Sequence, residues 1–170
     1  MGKVLNTFMN GFPGTPSRTA DEIIITMQNG SARNIYPGDL VFLKTDGSAE
    51  GFDLEYPQEF EMFLGFAVRC PDRTPDVAVT SQNNPTTENS NCPWRPNETM
   101  EVLVRGAITV PMAVSANRGS EIYVRKSDGK LVASPGASGS TIELENVKLR
   151  NARDTTSGCA EVIVNKRNII

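Results

Sequence analysis

Gly38-Asp39-Leu40-Val41-Phe42-Leu43-Lys44-Thr45-Asp46-Gly47 is the stretch whose reading decides the fold class. A glycine opens it, an apolar run with an aromatic inside follows, a basic residue ends the run, and Asp-Gly closes it. A β-branched and aromatic run bounded by turn residues is the pattern of a strand entering a hairpin. Gly119-Ser120-Glu121-Ile122-Tyr123-Val124-Arg125-Lys126-Ser127-Asp128-Gly129 repeats the plan with one residue more. The echo is either a decayed duplication or two hairpins obeying the same turn chemistry. Both readings give two hairpin-based halves in one compact β unit.

Outward from this pair, the chain continues in the same manner. Glu22–Met27 is a β-branched run closed by Asn29-Gly30, and Phe63–Val68 is another, with Gly65 marking a bulge or a close backbone approach. Residues 101–112 form a long strand, interrupted or bulged at Gly106. Further strands are expected at Ile122–Lys126, Leu131–Ala133, Ile142–Leu144, Val147–Arg150 and Ala160–Val164. No helical periodicity persists over about twelve residues, the length of an ordinary helix. The expected fold is therefore all-β, a sandwich, barrel or jelly-roll-like domain of short strands.

Two segments stand apart. Residues 1–20 read as an N-terminal docking arm, because two glycines and two prolines fall between Asn10 and Arg18. Its apolar side chains, Val4, Leu5, Phe8, Met9 and Phe12, are poor choices for a free tail, so they dock on the chain's own core or on a neighbour. Residues 21–170 then make a single β domain with a loop excursion at about 70–99, rich in Pro, Asn, Ser and Thr. Trp94, the only tryptophan, lies in it between Pro93 and Pro96. It either caps the domain's own core or anchors an interface, where tryptophan is enriched.

Composition narrows the function. The 170 residues include no histidine, which removes His-based triads, Cys-His dyads and His-ligated metal sites. A net charge of −3 lacks the electrostatic footprint of a phosphate-backbone binder, so nucleic acid is not an expected partner. No apolar run approaches the roughly 18 residues that span a bilayer, and no membrane partner is expected. Three cysteines, Cys70, Cys92 and Cys159, without a secretion signal, fit reduced thiols, with a Cys70–Cys92 bridge as the alternative.

A search for chemistry comes out negative. Ser127 to Lys130 matches SxxK, but that chemistry needs a helix start and here Asp-Gly sits between strands. The acids Glu50, Asp53, Glu55, Glu59 and Glu61 read as a solvated strand face, with subunit contact next and catalysis or metal binding last. Asn29-Gly30-Ser31 matches a glycosylation sequon that carries no meaning without secretion. No catalytic, metal or cofactor-binding residue is nominated, and no cofactor is expected.

Gly11-Phe12-Pro13-Gly14, Ser17-Arg18 and the Ile-rich strand after them resemble the capsid cement (decoration) proteins of tailed bacteriophages. The resemblance continues through the hairpins after Gly38 and Gly119, Phe63–Val68, Val104-Arg105-Gly106 and the Cys159–Val164 strand. Residues 70–99 have no counterpart in it. It implies a non-enzymatic virion protein, made in the host cytoplasm, that binds the head exterior and bridges neighbouring major capsid proteins. Its implied partners are the major capsid protein and further copies of itself, as a homodimer or homotrimer. The expected contact residues are Phe8, Phe12, Pro13, Arg18 and Trp94. The alternative is a carbohydrate- or receptor-binding β-sandwich accessory domain of the virion.

Overall fold

The computed structural model describes residues 11–17, 21–53, 62–70, 93–153 and 158–166. Among these residues the chain is all-β, as expected. Its strands are β1 (Pro16–Ser17), β2 (Ile23–Gln28), β3 (Leu40–Leu43), β4 (Ala49–Gly51), β5 (Phe63–Ala67), β6 (Thr99–Pro111), β7 (Glu121–Arg125), β8 (Leu131–Val132), β9 (Thr141–Asn151) and β10 (Cys159–Val164). They pair antiparallel in the order β4-β3-β5-β6-β10-β9-β7-β8, and β1 and β2 both add to β6. The sheet curls, so its two ends face each other as two layers.

β6 is the axis of the fold. Leu103 lies between Ile24 of β2 and Phe66 of β5, whereas Ile108 lies between Pro16 of β1 and Val162 of β10. One strand thus serves both layers, and its partners change at Gly106, where φ is +118°. Of the interruption or bulge expected at Gly106, the strand shows no interruption, and its register with β2 shifts by one residue at nearby Val104. A conformation open to glycine lets the ribbon turn the corner while its ladder continues.

The curl creates two apolar clusters. The larger joins the layers and contains Phe42, Phe63, Phe66, Leu103, Ile108, Ile122, Leu149 and Val162. Phe63 stacks edge-on with Phe42 and Phe66, at centroid distances of 6.0 and 5.4 Å. The second lies on the other face of the β3-β5-β6 layer, where Val41, Leu64, Ala67, Val102 and Val104 meet Ile35 and Trp94. With both faces covered, β5 is buried at every position, which explains a continuous apolar run in place of alternation. Gly65 is required here because a Cβ would strike the backbone carbonyl of Leu103 on β6.

One expected division is corrected. Ile142–Leu144 and Val147–Arg150 are not separate strands but parts of β9. Asn146 between them adopts φ +65°, and the β7–β9 register jumps from Glu121↔Lys148 to Tyr123↔Glu143. Glu145-Asn146 has turn composition, yet a left-handed asparagine also makes a bulge, and β7 pairs with β9 on both sides of it.

The opening turns of the echo are instances of one local device that occurs four times among the described residues. Phe12–Thr15, Tyr36–Asp39, Arg95–Glu98 and Asn117–Ser120 are each closed by a hydrogen bond from the fourth backbone N–H to the first carbonyl, 3.0–3.2 Å long. The third residue has positive φ in every case: Gly14 +74°, Gly38 +86°, Asn97 +65° and Gly119 +86°. Its N–H donates to one residue of a neighbouring segment, respectively Thr109, Ala67, Asn29 and Leu149. That same residue's N–H donates to the carbonyl of the turn's fourth residue. These are type II turns locked as two-point clamps, and each launches the next strand: β1, β3, β6 and β7. The two hairpins after Gly38 and Gly119 are instances of this wider grammar.

Asn29 holds the third clamp from inside. It is fully buried, its Nδ2 donates to Trp94 O and Arg33 O, and its Oδ1 accepts from the Ser31 N–H and hydroxyl. The sequon at Asn29 is thus a structural polar node.

Candidate docking surface

The described part of the arm, Gly11–Ser17, lies against its own domain. Gly14 N donates to Thr109 O, Thr109 N to Thr15 O, and Arg69 N to Gly14 O, at 2.8, 3.0 and 2.8 Å. Phe12 is nevertheless 46% exposed. Its ring is backed by the Arg69 guanidinium, whose central carbon sits 4.6 Å from the ring centroid. Such a stack fixes an aromatic side chain at the surface and is worth about 0.5–1 kcal/mol where it is solvent-exposed. Arg69 Nη1 is buried and hydrogen-bonds to no described group, so ring contact supplies that side chain's chief local partner.

The first two turns pack on each other. A Cβ on Gly14 would meet Pro37, and one on Gly38 would meet Pro13 and Pro111 at 3.2 and 3.0 Å. Beside them opens a cleft of about 1280 Å³, bounded by the 30–34 loop, the β3–β4 hairpin, residues 111–114 and the β7–β8 hairpin. Tyr36 and Val114 line it and are 38% and 45% exposed. Three of the four large exposed apolar side chains described, Phe12, Tyr36 and Val114, therefore fall on the packed turns or the cleft beside them.

Two ion pairs line the cleft. Arg33 pairs with Asp53 at 3.4 Å, and Lys44 donates to Gly30 O at 3.1 Å. Arg125 grips Asp128 with two hydrogen bonds of 2.8 and 2.5 Å, which hold the Asp128 carboxyl below the usual carboxylate range. Burial pushes the Glu50 carboxyl up. The Arg125–Asp128 grip braces the β7–β8 turn, so the SxxK match at Ser127–Lys130 is hairpin structure. Among the described residues no group of His, Cys, Asp or Glu is arranged to hold a metal ion.

The contact residues expected from sequence separate here. Phe12 is exposed and Pro13 half-buried on one turn. Trp94 is 5% exposed, its Nε1 donates to Val68 O at 3.1 Å, and its ring belongs to the second core cluster, so of its two readings the structure displays the core cap. Phe8 and Arg18, with Glu55, Glu59 and Glu61, lie outside the described residues. Sequence reasoning missed Arg69, Tyr36 and Val114. Tyr36 had a signal, since it precedes a Pro-Gly turn of the same form as Phe12-Pro13-Gly14. Cys70 is a free thiol, Cys159 is buried, and Cys92 lies outside the described residues.

The described residues form an all-β body with clamped turns, an exposed aromatic at Phe12 and a cleft beside it. Residues 3–165 match the family model described as "Structural cement protein (E217 gp24/Pam3 gp6)", and the chain belongs to that family of phage structural proteins. The fold is similar to a chain in the solved capsid of Myoviridae phage XM1, with a TM-score of 0.70 and 15% identity over 96% of each chain. A weaker likeness, TM-score 0.41 and 9% identity over 87% of this chain and 99% of the other, is to the head fiber gp8.5 N base of bacteriophage phi29. No curated protein sequence matches. The chain is thus a structural component of a phage virion.

Proposed function

We propose that this protein binds the outside of the assembled head and stabilises it by bridging neighbouring major capsid subunits, without catalysing a reaction. The observation that carries the reading is Phe12, 46% exposed on a turn clamped to β6 and backed by Arg69. An aromatic held rigid in advance loses little conformational freedom on binding, which is what an interface anchor needs. Residues 1–20 act as the docking arm, with Pro13 setting the Phe12 turn and Tyr36 and Val114 extending the apolar contact. Phe8 and Arg18 contribute from the same arm. Trp94 supports the surface from within the domain.

Purified protein titrated against heads lacking it is expected to pellet with them to a stoichiometric plateau and to raise their resistance to heat and shear. Phe12→Ala is expected to weaken that binding by at least roughly tenfold, the effect of losing a hot-spot aromatic. No pelleting at about 50 µM, a concentration that detects even weak docking, would shift the assignment to the receptor- or carbohydrate-binding alternative.

A further inference from the structure

The cleft beside the first two turns holds about 1280 Å³, more than the roughly 300–1,000 Å³ that encloses a small molecule. That size suits a length of extended chain. Leu40, Phe52, Met112 and Leu131 give it an apolar lining, in which Tyr36 and Val114 stand exposed. Five cations and four carboxyls line the same space, and their partners divide them unevenly. Arg33 holds Asp53, and Arg125 holds Asp128. Asp39 folds back on its own turn, where Oδ2 accepts the Tyr36 N–H at 2.8 Å. Glu50 lies near Lys44, and burial pushes its carboxyl up, away from the charged form. The remaining cations, Lys130 and Arg153, make no ion pair with a described carboxyl. Arg153 is nonetheless seated. Its Nε donates to Met112 O at 2.7 Å, and Gly158, with φ +70°, keeps clear a position where a Cβ would come 3.2 Å from Nη2. Lys130 is exposed and precedes Leu131, whose carbonyl accepts the Ala113 N–H at 2.9 Å. Both cations therefore adjoin one apolar wall, Met112 to Val114.

We propose that this cleft receives an extended segment of the major capsid protein, with apolar side chains against Tyr36 and Val114 and carboxylates on Lys130 and Arg153. The charge pattern selects this occupant. Two cations left over from the internal pairs complement isolated acids, and the backbone bond of Arg153 leaves its Nη donors for a carboxylate. A polyanion such as a phosphate chain fits poorly, because the fixed carboxyls of Asp53 and Asp128 share the lining and like charges held close repel. An extended segment turns alternate side chains to opposite sides, which suits a cleft with apolar and charged walls. Arg153 acts as the fixed receptor and Lys130 as the mobile one, since a lysine head is a point charge on a flexible stem. The proposal rests on the cement reading for the identity of the partner, and it adds the site and the chemistry that recognises it.

The test saturates heads lacking the protein with the full chain and treats them with a carbodiimide, which joins an amine to a touching carboxylate as an amide. Mass spectrometry of the digested complex is expected to find Lys130 Nζ joined to an aspartate or glutamate of the major capsid protein. Lys130→Glu is expected to weaken pelleting with heads by at least roughly tenfold, the effect of losing a close interfacial charge pair. Lys126→Glu makes the same charge change on the same hairpin but outside the cleft, and is expected to bind as the wild type does. Lys130→Arg keeps the charge and is expected to bind while losing the cross-link. Lys126 and Lys130 are exposed, so unchanged far-ultraviolet circular dichroism confirms that each variant is folded. Binding with no link from Lys130 to the capsid protein, a link only to copies of this chain, or equal losses from Lys126→Glu and Lys130→Glu would each overturn the cleft assignment and leave the cement reading standing. A wild type that never pellets with heads would overturn both.

Discussion

The Phe52 ring lies over Gly129, in the space that a Cβ on Gly129 would occupy. Phe52 follows β4, the second strand of one hairpin, and Gly129 sits in the turn of the other, β7–β8. The two hairpins whose sequences echo each other thus meet at one aromatic-on-glycine contact, which closes the curled sheet beside the cleft. Gly129 also has φ +67°, so two separate constraints select glycine there.

Those constraints can be separated. Gly129→Ala is expected to destabilise the fold by about 2–4 kcal/mol, from left-handed strain and overpacking together. In a Phe52→Ala background the same change is expected to cost only about 1–2 kcal/mol, because backbone strain alone remains. Urea unfolding of the four proteins in a double-mutant cycle measures the difference.

The four clamped turns predict a graded series. A Cβ on Gly119 meets nothing within 4 Å, so Gly119→Ala is expected to cost about 1 kcal/mol, the left-handed backbone term alone. A Cβ on Gly38 meets Pro111, Gly14 and Pro13 at 3.0–3.2 Å, so Gly38→Ala is expected to cost about 2–3 kcal/mol. Asn97→Gly, which places glycine where the other three turns have it, is expected to shift stability by less than about 1 kcal/mol. Denaturant midpoints at constant m-value rank the three.

Asn29→Ala is expected to lower stability by about 2–4 kcal/mol, because it strips the buried Trp94 carbonyl, the part-buried Arg33 carbonyl and the Ser31 donors of their partner. Asn29→Asp is expected to be at least as damaging, since a carboxylate supplies no donors to Trp94 O and Arg33 O and must be buried. Loss of Trp94 fluorescence protection from a soluble quencher reports whether the third clamp has opened.

The pH dependence follows from two carboxyls of opposite sign. Asp128 has its folded pKa held below 3.8, first by the Arg125 hydrogen bonds, so its contribution is present above that value and is lost as pH falls through the folded one. Asp128→Asn is expected to lower the neutral-pH melting temperature and to flatten its acid decline. Glu50 has its folded pKa raised above 4.5 by burial, so its contribution is present below that value and lost as pH rises through the folded one. Glu50→Gln is expected to raise the melting temperature at neutral pH and to leave it nearly unchanged in acid. Melting curves from neutral pH down past 3.8 test both.

Much of this was legible because it is local. Leu40–Leu43 and Ile122–Arg125 lie between turns whose glycines the backbone demands, and their apolar runs fit no helix. The Arg95-Pro96-Asn97-Glu98 turn was equally present in the sequence, but asparagine in place of glycine and its position in a polar loop concealed it. Arg69 and Trp94 gave no local signal. What they touch, Phe12 and Val68 respectively, is set by how distant segments cross.

The sequence alone therefore determined the all-β class, the places where strands begin, and the absence of histidine chemistry, since steric limits on φ and side-chain type act within a few residues. The tertiary structure decided that β6 serves both layers, and that Trp94 turns inward while Phe12 remains outside. Those outcomes depend on which faces the curled sheet covers. Coverage is a property of the packed chain, because burying one apolar surface fixes which others remain available.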